Sequence, residues 1–126
     1  VKKLVGSIAI LIAIPIVIIA AHIYLGRVSV QMADEIYEAE QSARAGDVVQ
    51  SGKYLKEFSG DWNVHKRVFA TFIRHAEIDL ANQSAAKLVA YLGDKDKSNF
   101  YGECDTLRMQ ILHIADTERF TLDNIF

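Results

Sequence analysis

Only one proline, Pro15, and one cysteine, Cys104, occur in the 126 residues. A lone cysteine excludes an internal disulfide and a Cys-x-x-Cys zinc knot, so packing must hold the fold together. With no proline beyond Pro15, no residue of that kind breaks a helix in the last hundred positions. Strict apolar/polar alternation, the mark of a half-buried strand, is also missing from Arg27 onward. No serine stands in a Gly-x-Ser-x-Gly setting, and no glycine loop of the phosphate-binding kind is present. Removing Lys2 and Lys3 from the fourteen basic residues leaves twelve after Gly26, against sixteen acidic ones, a formal charge of −4 for that segment. Clustered Lys and Arg of the kind that neutralises phosphates is absent, which argues against a nucleic-acid partner. Lys66-Arg67 and Lys95 with Lys97 read as solvated helix faces.

What is present first is an apolar run. Leu4 to Leu25 carries no acidic or basic side chain, and thirteen of its twenty-two residues are Leu, Ile or Val. At 1.5 Å per residue it is about 33 Å long, enough for a hydrocarbon core of about 30 Å. Its branched residues favour insertion by roughly 4 to 8 kcal/mol, more than Pro15 and His22 subtract. Residues 4–25 are therefore expected to be a transmembrane helix in contact with the lipid bilayer. Lys2, Lys3 and the amino group precede it and only Arg27 closely follows, so residues 1–3 are expected in the cytoplasm and residues 27–126 outside the cell membrane. A secretory signal cut after Ala21 is the competing reading. The run continues through that site to Leu25, past the ~7 to 15 residues of a signal core, which favours an anchor. No cysteine stands directly after the run, which excludes a lipoprotein anchor.

The remainder is expected to form one all-α domain, about the size at which a single core suffices. Gly46-Asp47, Gly60-Asp61 and Gly93-Asp94 each read as a helix stop followed by an N-cap. They predict four helices at about 28–45, 47–59, 61–92 and 94–116. Met32, Ile36, Ala39 and Ala43 share a face, as do Phe69, Phe72, Ile73, Ala76 and Leu80, and also Phe100, Cys104, Leu107, Ile111 and Ile114. A second set, Val68, Ile78, Ala81, Ala85, Val89 and Leu92, predicts that the third helix is packed on two sides. A weak repeat matches residues 43–54 to 90–101, with Gly-Asp and a tyrosine on each side. Two architectures fit: two stacked helical hairpins in the manner of helical repeats, or an antiparallel bundle.

The short basic start, single membrane helix, early Gly46-Asp47 turn, Asp61-Trp62, the string Phe72-Ile73-Arg74-His75-Ala76-Glu77-Ile78-Asp79 and the ending Leu122-Asp123-Asn124-Ile125-Phe126 together resemble the bacterial family catalogued as domain of unknown function 4363. The resemblance covers nearly the whole chain, and its most specific parts are His-x-Glu-Ile-Asp and the Asn-Ile ending. Val48 departs from it, since the family often has tryptophan after Gly-Asp. The resemblance implies a small membrane-anchored helical protein of mainly Gram-positive bacteria, and it implies no reaction.

His75, Glu77 and Asp79 are the candidates for chemistry, because imidazole and carboxylate are the usual metal and proton-transfer groups. On a helix His75 and Asp79 share a face and Glu77 points away, so one three-ligand site cannot use them all. The reading preferred on that ground is an intrahelical His75–Asp79 hydrogen bond at a helix contact. Cys104 falls at a core-spaced position, where a thiol is packing. Trp62 is a candidate recognition anchor, weighed against the commoner role of closing the core. The tail with Leu122, Asn124, Ile125 and Phe126 is apolar enough to need docking on the bundle or on a partner. No enzyme activity, metal or cofactor is expected. The expected function is a tethered adaptor or accessory subunit that binds another protein at the membrane. The alternative is a pH, metal or ligand sensor acting through such a partner.

Overall fold

The computed structural model describes the backbone of residues 1–125 and the side chains of residues 1–114 and 116. Among these residues the chain is all-α, with four helices: α1 Lys2–Arg44, α2 Val48–Phe72, α3 His75–Gly93 and α4 Lys97–Ile125. α1 packs on α2 and α4, and α3 packs on α4 and α2, closing a ring around one core. Neighbours run in opposite directions. Ala39 meets Ser51 and Tyr24 meets His65 between α1 and α2, while Arg44 meets Tyr101 and Tyr37 meets Arg108 between α1 and α4.

The expected boundary between anchor and body does not exist as a structural break. α1 is one helix of 43 residues, about 65 Å long, that passes through both Pro15 and Gly26. A helical glycine costs about 1 kcal/mol relative to alanine. At Gly26 that cost is outweighed by the packing of Leu25, Val28 and Ser29, all buried against the bundle. The four expected body helices therefore share their first member with the apolar run. That run is bare: from Leu4 to Ile23 nearly every large apolar side chain is exposed, and the most apolar stretch of the helix has no buried residue. Among the described residues α1 is the helix long and apolar enough to cross a membrane, near the amino end, where a signal sequence passes the same test.

Gly60 does not end a helix either. α2 continues through Gly60-Asp61 because Phe58 and Trp62, on either side, are both buried and stack with ring centroids 6.4 Å apart. The chain turns instead at Ile73-Arg74, where both residues are extended, with φ/ψ of −113°/148° and −61°/138°. The expected third helix, 61–92, is thus the end of α2 plus all of α3. Neither of its two apolar sets is a single buried face, because each is divided between α2 and α3 and only part of each is buried. Phe69 and Ile73 are buried on one segment and Ile78, Ala81 and Leu88 on the other, while Phe72, Leu80, Val68 and Val89 are exposed. The first and last stripes are buried as predicted, from Met32 to Ala43 and from Phe100 to Ile114.

Both turns at the far end of the bundle are helix stops followed by an aspartate. At the first, Gly46 takes φ +84° and Asp47 accepts from the Gln50 N–H at 3.0 Å. At the second, the helix includes Gly93, the positive φ of 58° falls on Lys95, and Asp96 accepts from the Asn99 N–H. The backbone hydrogen bonds are equivalent: Gly46 to Ala43 and Asp47 to Ser42 in one, Lys95 to Leu92 and Asp96 to Tyr91 in the other. Structural equivalence thus pairs Gly46 with Lys95, two residues beyond the sequence repeat that paired Gly46 with Gly93.

Candidate functional site

The string on α3 does not assemble. His75 opens the helix, and both it and Asp79 are exposed; among the described residues no hydrogen bond joins them, so the expected intrahelical pair is not formed. Glu77 turns the other way, towards α4, as helical geometry requires. It is half-buried beside Leu80, Gln110 and His113 around a cavity of about 80 Å³, and its Oε2 has no hydrogen-bond partner. No group of three or more His, Cys, Asp or Glu converges on a metal position among the described residues.

Trp62 is 4% exposed, and its indole N–H donates to Asn82 Oδ1 at 2.6 Å, tying α2 to α3. Its ring lies between Phe58 and Phe69, so its apolar surface is spent inside the bundle. Burial at this depth leaves no face of Trp62 for a partner, and the recognition-anchor reading is withdrawn. Leu122, Asn124, Ile125 and Phe126 lie outside the described residues. Cys104 is buried, and its thiol is pushed up to about 12, first by burial and then by the nearby Glu40 carboxylate. It stays protonated and unreactive at physiological pH.

The polar groups that do converge lie on the seam between α1 and α2. Gln31 Nε2 donates to Asp61 Oδ2 at 3.2 Å. One turn further along α1, Glu35 is half-buried and its Oε2 has no hydrogen-bond partner. Its pKa is raised to about 8, chiefly by burial, then by a hydrogen bond to Asp61 and by the charges of Asp61 and Glu57, against a smaller opposing effect of Gln31. The carboxyls of Glu35 and Asp61 thus approach each other between α1 and α2, where burial and like charge favour the protonated form of Glu35. Further down the seam, the Tyr24 hydroxyl is hydrogen-bonded to His65 Nδ1, with the two rings edge to face. The pairing of these five residues escaped sequence reasoning because the partners come from different helices. Asp61 had read as an N-cap, and nothing within one helix shows which carboxylate faces which.

At the opposite end, where the two Gly-Asp and Lys-Asp turns meet, a cavity of about 250 Å³ opens between Tyr91, Phe100 and Tyr101, with Lys95 and Lys97 at its rim. Next to it Arg44 stacks over the Tyr101 ring at 4.0 Å and pairs with the buried Glu40 at 2.7 Å.

A ring of four antiparallel helices, the first extended by a bare apolar half, defines a small all-α protein with a leading apolar helix. The chain belongs to the family described as domain of unknown function (DUF4363), which it matches over residues 19–125. No curated protein and no solved structure matches it.

Proposed function

We propose that the chain is a membrane-tethered adaptor or accessory subunit, held by residues 4–25 and binding another protein at the membrane, with no catalysis of its own. The observation that carries this reading is the unbroken α1. A tethered enzyme that searches for substrate is served by a flexible linker, whereas here the helix that would cross the bilayer is itself a core helix of the bundle. Such a joint fixes the height and the tilt of the body over the membrane, which suits the presentation of one surface to a neighbour. The cavity between Tyr91, Phe100 and Tyr101 at the far end offers a concave, largely apolar surface for that contact. The amino end is assigned to the cytoplasm and the bundle to the outside on the charge of Lys2 and Lys3.

Site-directed photo-crosslinking tests the proposal. A crosslinker at Val48, on the cavity wall, should give a discrete adduct with one membrane or extracytoplasmic protein in native membranes, and one at the exposed Val89 on α3 should not. Adducts of the chain alone from both positions would refute the adaptor reading.

A second reading has an observation of its own. Glu35 changes charge close to physiological pH, between two helices that lead to the membrane. A proton sensor that acts through a partner would use Glu35 and Asp61, in place of His75. Loss of a pH-dependent crosslink in Glu35→Gln would support it, and an unchanged pH profile would reject it.

A further inference from the structure

We propose that the hairpin joining α2 to α3 is a second membrane contact, dipping through the headgroup boundary into the upper acyl chains and favouring anionic lipid. The proposal rests on residues 4–25 crossing the bilayer.

Register gives the depth. Ser51 on Ala39, Asp61 on Gln31 and His65 on Tyr24 place α2 alongside α1 in the reverse direction. Continuing from His65 to Phe72, about 10 Å along the helix axis, brings the tip of α2 level with Val17 and Ile18. The covering is visible on α1, where Ile18, Ala21 and His22 are only partly exposed and Leu25 is fully buried. If the tip stayed in water, the bilayer would have to be spanned by Leu4 to Val17 alone, about 21 Å of helix against a core of about 30 Å. With the whole run to Leu25 in use, the tip lies about 10 Å below the top of the span. That depth is the upper part of the acyl chains, at the lower limit of the ~5 to 10 Å to which interfacial helices sink below the headgroup boundary.

The composition of the tip fits that depth. Val64, Val68 and Phe72 fall at successive turns on the outer face of α2 and are 69%, 38% and 42% exposed. Among the described residues this apolar stripe is left uncovered. Around it stand the exposed Arg67 and Arg74 and the half-buried Lys66. From Asn63 to Ala76 the sequence has no acidic residue, although the chain as a whole is acidic. An apolar stripe fringed by Lys and Arg is the pattern of an interfacial helix, with acyl chains against the stripe and phosphates against the cations. The geometry is the same whichever face of the membrane carries the bundle.

The test uses the full chain in vesicles of phosphatidylcholine and phosphatidylglycerol at about 3:1, with a spin label on one introduced cysteine; Cys104 is buried and does not react. Labels at Val68→Cys and Phe72→Cys should collide with oxygen several-fold more than with a polar nickel chelate, relative to Val49→Cys at the far end. Leu11→Cys should show the strongest preference for oxygen. Watery values at positions 68 and 72 with a lipid value at 11 would overturn the second contact and leave the span intact. A watery value at 11 would overturn the span itself, and the hairpin contact with it. In the Val68→Cys background, Arg67→Gln with Arg74→Gln should lower the oxygen preference about twofold in the anionic vesicles and leave it unchanged in pure phosphatidylcholine. An equal response in both would overturn the preference for anionic lipid.

Discussion

The two halves of α1 have the same backbone and opposite surroundings. From Leu25 to Ala43 the helix buries one stripe, Leu25, Val28, Met32, Ile36, Ala39 and Ala43, and leaves polar groups elsewhere. From Leu4 to Ile23 it is apolar around most of its circumference and buries almost nothing. A helix apolar all round needs either a core or a lipid phase, and the bundle covers only its last two turns. The difference teaches that continuity of secondary structure does not mean continuity of packing. Packing of Leu25, Val28 and Ser29 carries the helix through Gly26, while the pattern of side chains changes from apolar all round to one buried stripe within about one turn.

The sharpest way to break this contrast is to make the same cut in both halves. Ile36→Ala empties a fully buried site and should lower the unfolding free energy of the solubilised full chain by about 2 to 5 kcal/mol, while the exposed Ile12→Ala should change it by less than about 0.5. Urea titration followed by tryptophan fluorescence measures both. Equal losses would mean that the lower half is part of the folded core.

Next in size is the proton on the seam, which separates the upper half from the lower by its dependence on pH. Glu35 has a folded pKa of about 8, above its ordinary value of 4.5. The folded state thus binds this proton more tightly than the unfolded one. The stability it supplies is complete below pH 4.5 and is lost as pH rises through 8. Glu35→Gln keeps the uncharged shape, so it should stabilise the protein by about 1 to 3 kcal/mol at pH 8.5 and by nothing near pH 4.5. Unfolding curves at the two pH values check this; a gain of equal size at both would place the effect elsewhere than in ionisation.

A smaller effect is expected at the α2–α3 contact. Trp62→Phe removes the hydrogen bond to Asn82 and part of an aromatic stack, and should cost about 1 to 2 kcal/mol. The native tryptophan is lost in that variant, so helical circular dichroism during thermal unfolding is the measurement. The smallest concerns the two far turns. Lys95 sits at φ 58° where the equivalent turn has Gly46. Lys95→Gly should therefore raise stability by about 0.5 to 1 kcal/mol, and Gly46→Ala should lower it by about 1.

Much of the fold was legible because its signals are local. The apolar run, the stripes from Met32 to Ala43 and from Phe100 to Ile114, and the stop at Gly46-Asp47 each depend on residues within one or two turns. Gly60-Asp61 misled because the packing of Phe58 and Trp62 outweighs the penalty of one glycine. The turn at Ile73-Arg74 carries no glycine or proline, but it has a phase signature: Ile73 and Ile78, both buried, are five residues apart and cannot share a helical face. Two unaligned apolar sets in one predicted helix were the mark of two helices. The site was less legible. His75, Glu77 and Asp79 are neighbours in sequence and scatter in space, whereas Glu35 and Asp61 meet across two helices, and pairing of that kind appears only after the chain has folded.

Alkaline extraction of membranes from bacteria producing the chain, followed by intact mass of the retained polypeptide, tests the lower half of α1 most directly. The account predicts a chain that stays with the lipid pellet and still carries residues 4–25. Release into the supernatant, or a mass showing a cut near Ala21, would contradict it.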